Sequence, residues 1–187
     1  GRAGAWERRR VLERERVLDV FGYMGGCGVT AAVAGAQAVT CVDASEAALE
    51  LAQANAQRNG VAVETRAGDA KAVLQQLQTE QARFDLAIVD PPALIKRKKD
   101  IAAGTHHYQQ LNSLAMQVLA PGGLLLAASC SPHLSADAMR GALRKAAAEA
   151  GRKLVVLAQR GAGMDHPVHP AIPETEYLKA FLCAVEG

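Results

Sequence analysis

From Arg16 onward the chain alternates short apolar runs with segments of helical periodicity, the pattern of a mostly parallel sheet flanked by helices. Seven runs read as strands, at 16–20, 38–43, 61–66, 84–90, 124–129, 153–158 and 178–185. Between them, Ala70, Val73, Leu74 and Leu77 fall at the i, i+3, i+4, i+7 spacing of one helix face, and Leu111, Leu114 and Val118 repeat the spacing further on. The last run follows a polar, proline-containing loop (Pro167, Pro170, Pro173) in place of a crossover helix, so that strand is expected to enter antiparallel to its neighbour.

Local punctuation supports these boundaries. Asn59-Gly60 stops the second helix, Pro121-Gly122-Gly123 turns a helix into a strand, and Ser135 caps the next helix with Asp137 in its first turn. The first strand should run into a glycine loop, with the following helix starting at Val29. The longest connection, 91–104, reads as a loop carrying Lys96, Arg97, Lys98 and Lys99; long loops inside one domain tend to be functional.

Composition narrows the class. With 187 residues, half of them hydrophobic, the chain can close one core, read as a single domain over 16–187 preceded by a partial segment or helix over 1–15. The net charge of +2 excludes a general polycation, so any nucleic-acid contact must be local. Cys27, Cys41, Cys130 and Cys183 form no Cys-x-x-Cys, which argues against a zinc site or a disulfide framework and fits a reduced, cytoplasmic setting. No apolar run is long enough for a bilayer, and the five histidines lack metal spacing, so neither membrane nor metal is expected.

Candidate chemistry collects at the carboxyl ends of successive strands, where open α/β sheets bind ligands. The first ends in Phe21-Gly22-Tyr23-Met24-Gly25-Gly26-Cys27-Gly28, whose glycines allow a tight turn and close approach to a ligand. The second ends at Asp43, which can accept ribose hydroxyls or stabilise the helix starting near Ser45. The third ends at Asp69, which can receive an amino group or cap its own helix. The fourth ends in Asp90-Pro91-Pro92, an acid that is costly on a buried apolar strand without a partner.

In this combination the chain resembles, over nearly its whole length, the class I S-adenosylmethionine-dependent methyltransferases. The resemblance implies a Rossmann-like α/β fold with helices on both faces and S-adenosylmethionine as cofactor. It places Phe21, Gly22, Tyr23, Gly25 and Gly26 at the cofactor's methionine part, Asp43 with Ala44 at the ribose, Asp69 with Ala70 at the adenine edge, and Asp90 toward the target base. Gly22 to Gly28 does not match the Gly-x-Gly-x-x-Gly a dehydrogenase would need.

Methyltransferases of exocyclic amines often place an aromatic residue after the two prolines; here Ala93 follows them. Instead the fifth strand ends in Ser129-Cys130-Ser131, a thiol beside Asp90 in the expected strand order. Carbon 5 of cytosine is too weak a nucleophile to take a sulfonium methyl directly, and a thiolate added at carbon 6 gives an enamine that can. The helix starting near Ser135 is one candidate for favouring the thiolate. Cys41 and Cys183, inside apolar strands, read as buried hydrophobes.

Here the resemblance narrows to the bacterial 23S rRNA cytosine-5 methyltransferases. It is carried by Tyr23-Met24-Gly25-Gly26, Asp90-Pro91-Pro92-Ala93 and the basic run, Tyr108 through Asn112, Ser129-Cys130-Ser131, Asp165-His166-Pro167, Pro173-Glu174 and Tyr177-Leu178-Lys179. It implies RNA, 23S rRNA above all, as partner, with Cys130 and Asp90 catalytic, Lys96 to Lys99 on RNA phosphates, and room for a homodimer. Asp165, His166, Glu174 and Lys179 would shape the mouth of the site. The family tends to have serine, threonine and phenylalanine at the positions of Gly22, Met24 and Cys27, and carries an amino-terminal PUA domain not found here, so Gly1 reads as a cut inside a longer protein. The alternative is a methyltransferase of another base atom, such as guanine-7 in a related rRNA family that lacks the cysteine, or of a small molecule.

Overall fold

A computed structural model describes residues 15–163, 166–172 and 175–187. The segment expected over 1–15 lies, but for Glu15, outside the described residues, as do Asp165, Pro173 and Glu174.

Seven strands form one sheet: β1 (Arg16–Val20), β2 (Ala38–Asp43), β3 (Glu64–Ala67), β4 (Phe84–Val89), β5 (Leu119–Ser129), β6 (Lys153–Arg160) and β7 (Lys179–Glu186). Their spatial order is β3-β2-β1-β4-β5-β7-β6. Strands β1 to β5 pair in parallel, and β7 is antiparallel to both β5 and β6, as the missing crossover helix predicts. The chain order reverses between β1 and β4, which opens a crevice at their carboxyl ends.

Among the described residues five α-helices connect the strands: α1 (Gly26–Val33), α2 (Glu46–Arg58), α3 (Ala70–Thr79), α4 (Ile101–Gln117) and α5 (Ala136–Glu149). Each of α2, α3 and α5 starts at a side-chain cap: Ser45, Asp69 and Ser135 accept hydrogen bonds from the first-turn amides of their helices. The predicted stripe Ala70, Val73, Leu74, Leu77 is the buried face of α3, and α5 buries Met139, Ala142, Leu143 and Ala146. One sheet face packs against α3, α4 and α5 through Leu18, Val20, Tyr108, Leu125, Phe181 and Cys183; the other packs Val17, Val39, Cys41 and Ile88 against α1 and α2. Burying a leucine such as Leu74 or Leu143 completely contributes about 1.5–3 kcal/mol.

Several boundaries differ from expectation. Strand β3 begins at Glu64, where pairing with Thr40 of β2 begins, three residues later than its apolar pattern predicts. Strand β5 begins at Leu119, so Pro121-Gly122-Gly123 lies within the strand; the pairing with β4 shifts register between Phe84 and Leu86, and Gly122 takes φ 78°. Helix α1 begins at Gly26, because Gly25 at φ 80° is already its cap and the Val29 amide bonds the Gly25 carbonyl. The 91–104 loop is shorter than expected. A 3-10 turn at Lys98–Asp100 leads into α4 at Ile101, and Gly104 lies inside that helix against Ile95; a Cβ there would sit 2.3 Å from Ile95 Cγ1.

Candidate active site

The glycine loop is anchored at both ends and strained in the middle. The amides of Phe21 and Gly22 both donate to the Val42 carbonyl of β2, at 2.9 and 3.0 Å, and the Gly25 amide donates to Gly22 O at 2.7 Å. Phe21 and Tyr23 hold left-handed backbone, at φ 68° and 47°, a conformation costing non-glycine residues roughly 1–3 kcal/mol and clustered at ligand sites. Two outside contacts hold this shape: Asp43 Oδ2 accepts from the Tyr23 amide at 3.0 Å, and Asn55 of α2 donates to Met24 O at 3.0 Å. The other Asp43 oxygen, Oδ1, accepts from the Ser45 amide at 2.9 Å, so Asp43 both stabilises the start of α2 and fastens the loop. Each of its oxygens thus carries one protein hydrogen bond and retains a lone pair for a ligand hydroxyl.

Asp19 is the residue that the strand-end motifs do not reveal. It lies on β1 with 2% of its surface exposed, and its Oδ2 accepts the Gly28 amide at 2.7 Å. Burial, and then the negative charges of Asp90 and Asp43, push its carboxyl up to about 6 against the opposing pull of the Gly28 amide. A Cβ on Gly28 would lie 2.5 Å from Cys41 Sγ and 3.0 Å from Asp19 Oδ2, so only glycine lets α1 pack this closely on the acid. The available signal was an acid within the otherwise apolar Val17-Leu18-Asp19-Val20, immediately before the loop.

An open cleft of about 320 Å³ brings together Asp19, Phe21, Gly22, Tyr23, Gly26, Asn55 and Asp90, with Met24 and Cys27 on its wall. Gly25 lines an adjoining hollow with Met24 and Val29. Asp43 meets the cleft through Tyr23, whereas Ala44, Asp69 and Ala70 are not among its lining residues. Asp69 caps α3, its Oδ1 accepting from the amides of Lys71 and Ala72 at 3.1 Å each. Asp90 corrects an expectation: it is exposed at the cleft mouth just past the end of β4, so it needs no partner to offset burial. Partial desolvation by the surrounding protein still raises its carboxyl above the ordinary range.

The neighbouring strand end carries a buried polar network around Cys130. Ser129 Oγ donates to the Tyr108 hydroxyl at 2.9 Å, and that hydroxyl, having accepted, donates to Ser131 Oγ at 3.0 Å. Ser131 Oγ also accepts the Ile95 amide at 3.1 Å, and the Ser131 amide returns to Ser129 Oγ at 3.1 Å. One closed set of bonds therefore ties the residues on either side of Cys130 to α4 and to the segment after Pro92. Cys130 is half-buried, with Sγ 3.9 Å from the Pro91 carbonyl. Burial and then Asp90 push its thiol up, while a backbone hydrogen bond and Lys179 pull it down. Cys41 and Cys183 are buried as predicted, with thiols raised to about 12 and about 11.

Lys96, Arg97, Lys98 and Lys99 are exposed immediately beyond fully buried Ile95. Only Arg97 of the four has an ion pair among the described residues, to Asp100 at 2.8 Å. Lys179, assigned no individual role from sequence, is buried with its ammonium donating to Ser131 O and Tyr177 O at 2.8 and 2.7 Å. His166 is exposed. Among the described residues no group of three His, Cys, Asp or Glu side chains is placed to hold a metal ion, and no helix is long and apolar enough to cross a membrane.

A family model described as Conserved hypothetical protein 95 matches residues 5–128. The ribosomal RNA large subunit methyltransferase I of Erwinia tasmaniensis is 37% identical over 180 residues, which cover 95% of this chain and 46% of the relative. The chain thus spans about half the length of the curated relatives it matches. A Streptococcus mutans protein described as a SAM-dependent methyltransferase superposes with a TM-score of 0.80 at 22% identity, over 98% of this chain and 48% of the other. The SAM-dependent methyltransferase from Agrobacterium tumefaciens gives 0.67 at 22% identity, over 98% and 61%. The fold is therefore the Rossmann-like fold of S-adenosylmethionine-dependent methyltransferases, and the chain belongs to the Conserved hypothetical protein 95 family.

Proposed function

We propose that this chain is the catalytic domain of an S-adenosylmethionine-dependent methyltransferase acting on carbon 5 of a cytosine in RNA, with 23S rRNA as substrate. The observation that carries the reading is Cys130: a half-buried thiol at the end of β5, one strand from Asp90 and the cleft. The name ribosomal RNA large subunit methyltransferase I, borne by the relatives, supports rRNA as the substrate class.

The residues fit the cofactor on electrostatic grounds. Asp19 and Asp90 line the cleft with Asp43 behind Tyr23, the Asp90 and Asp43 charges add to burial in raising the Asp19 carboxyl, and a cation bound beside them relieves that repulsion. S-adenosylmethionine is such a cation, and supplies an electrophilic methyl group. In this reading Asp43 accepts ribose hydroxyls through its remaining lone pairs, and Asp69 reaches the adenine edge through Oδ2, its Oδ1 being taken by the helix cap. The loop of Phe21, Gly22, Tyr23, Gly25 and Gly26 encloses the methionine part, with Ala44 and Ala70 beside the two acids.

The cytosine enters the mouth beside Asp90. The Cys130 thiol gives its proton to solvent, Sγ bonds to carbon 6, and the carbon 5–carbon 6 π electrons move to carbon 5, which would take the methyl group while the pair of the broken methyl–sulfur bond stays on the departing neutral thioether. Solvent takes the carbon 5 proton, the pair of that C–H bond re-forms the carbon 5–carbon 6 double bond, and sulfur leaves carbon 6 with the pair of the C–S bond. Asp90, its carboxyl raised by desolvation, acts in its protonated form, donating a hydrogen bond to ring nitrogen 3 of the base and so drawing electron density from carbon 6 during attack. Lys96, Arg97, Lys98 and Lys99 contact flanking phosphates.

The alternative, methyl transfer to another base atom without a covalent step, is favoured by one feature: burial and the Asp90 charge push the Cys130 thiol up and so disfavour the thiolate. Nucleoside mass spectrometry of unmodified 23S rRNA incubated with the protein and S-adenosylmethionine separates the two readings. The cytosine reading predicts 5-methylcytidine; methyl on guanine or on an exocyclic amine would replace it with the alternative.

A further inference from the structure

We propose that Lys179 is a positioning residue whose buried ammonium stabilises the Cys130 thiolate, an inference that rests on Cys130 being the nucleophile. Lys179 is only 7% exposed, unusual for a lysine, whose burial ordinarily requires an anionic partner. Its hydrogen-bond acceptors are two neutral carbonyls, Ser131 O and Tyr177 O, and it forms no ion pair among the described residues. The positive charge is thus held in place without being neutralised.

Its position explains what the charge acts on. Lys179 of β7 is the register partner of Ser129 on β5, and its amino group grips the carbonyl of Ser131, so it reaches past the intervening Cys130. The two groups feel each other: Lys179 pulls the Cys130 thiol down, and the Cys130 charge lifts the lysine that burial depresses. The other charge acting on Cys130 among the described residues is Asp90, past the end of β4, which opposes ionisation. A base that takes a hydrogen bond from protonated Asp90 removes that opposing charge and leaves Lys179 as the charge acting on the thiol against burial, so the balance moves toward the thiolate with substrate in place. The S–H proton passes to solvent, and the ammonium keeps its three protons throughout.

The test is the pH profile of Cys130 alkylation by iodoacetamide, read by peptide mass spectrometry without RNA or cofactor. Lys179→Gln keeps donors for the two carbonyls and removes the charge. It should shift the profile to higher pH, with alkylation about tenfold slower at neutral pH for each unit of displacement. Lys179→Arg should keep the parent profile, since a merely structural role would not distinguish charge from hydrogen bonding. A parent-like profile in a folded Lys179→Gln protein overturns the proposal. If that variant does not fold, the parent decides: the ¹³Cε resonance of Lys179 should step at the pH where Cys130 ionises, and lose the step in Cys130→Ser. Absence of the step in the parent is equally fatal. Because no methyl transfer is read, a failure of the cytosine reading shows in the product nucleosides and leaves this measurement intact.

Discussion

Asp19→Asn isolates the electrostatic cost built into the cleft. The Asp19 carboxyl is raised from 3.8 to about 6 in the folded protein, which corresponds to about 3 kcal/mol between its protonated and ionised forms. Because the folded state holds this proton more tightly than the unfolded chain, the contribution works against stability as pH rises. There is no penalty below about pH 4, a growing one between about 4 and 6, and the full cost above that. Asparagine is nearly isosteric, and its carbonyl can still accept the Gly28 amide that Oδ2 accepts at 2.7 Å. The variant should therefore be more stable than the parent at pH 8, by up to about 3 kcal/mol, and nearly equal to it at pH 4. Urea unfolding of both proteins across this range, with midpoints compared at unchanged m-value, measures the difference. A stability difference that is the same at pH 4 and pH 8 would refute the account of Asp19, whatever its sign.

Three further outcomes follow from the site. Asp43→Ala removes the ribose acceptor and the bond that holds Tyr23 in left-handed backbone, so calorimetry should show S-adenosylmethionine binding weakened by ~1–3 kcal/mol or more; unchanged affinity would remove Asp43 from the cofactor site. Joint replacement of Lys96, Arg97, Lys98 and Lys99 by alanine should weaken RNA binding and flatten its salt dependence, by up to ~0.7 in the logarithmic slope for each phosphate no longer neutralised, with cofactor binding intact. Tyr108→Phe deletes the hydroxyl linking Ser129 to Ser131 and should destabilise the domain by about 1–3 kcal/mol in urea unfolding, since both serines are buried; a neutral result would show that the network does not hold the Cys130 segment.

Much of this architecture is legible along the chain because its signals are local. The caps Ser45 and Ser135 and the stripe Ala70, Val73, Leu74, Leu77 each reside in one short window, and strands β1 and β2 run as their apolar patterns predict. The signals that mislead depend on pairing or on close approach. Pro121-Gly122-Gly123 has the composition of a turn, yet the shift in register against β4 draws it into β5. Gly104 suggests a loop, but it serves as the point where α4 meets Ile95. The glycine loop, Asp43, Asp90 and Cys130 stand out because each closes a strand with atypical chemistry. Asp19 and Lys179 do not, since their weight comes from burial and from partners distant in sequence: Gly28 and Asp90 for one, Ser131 and Cys130 for the other. The ring through Tyr108 joins residues 21 to 36 positions apart and cannot be seen in any single segment.

The central claim is the covalent role of Cys130, and the direct measurement is a trap. RNA carrying 5-fluorocytosine at the target cannot lose the substituent at carbon 5, so after methyl transfer the protein should remain bonded to carbon 6. A denaturation-resistant protein–RNA adduct is expected that requires S-adenosylmethionine, maps to Cys130 by peptide mass spectrometry, and vanishes in Cys130→Ala while persisting in folded Cys27→Ala, Cys41→Ala and Cys183→Ala. An adduct on another cysteine, or Cys130→Ala methylating unmodified RNA at near the parent rate, would contradict it.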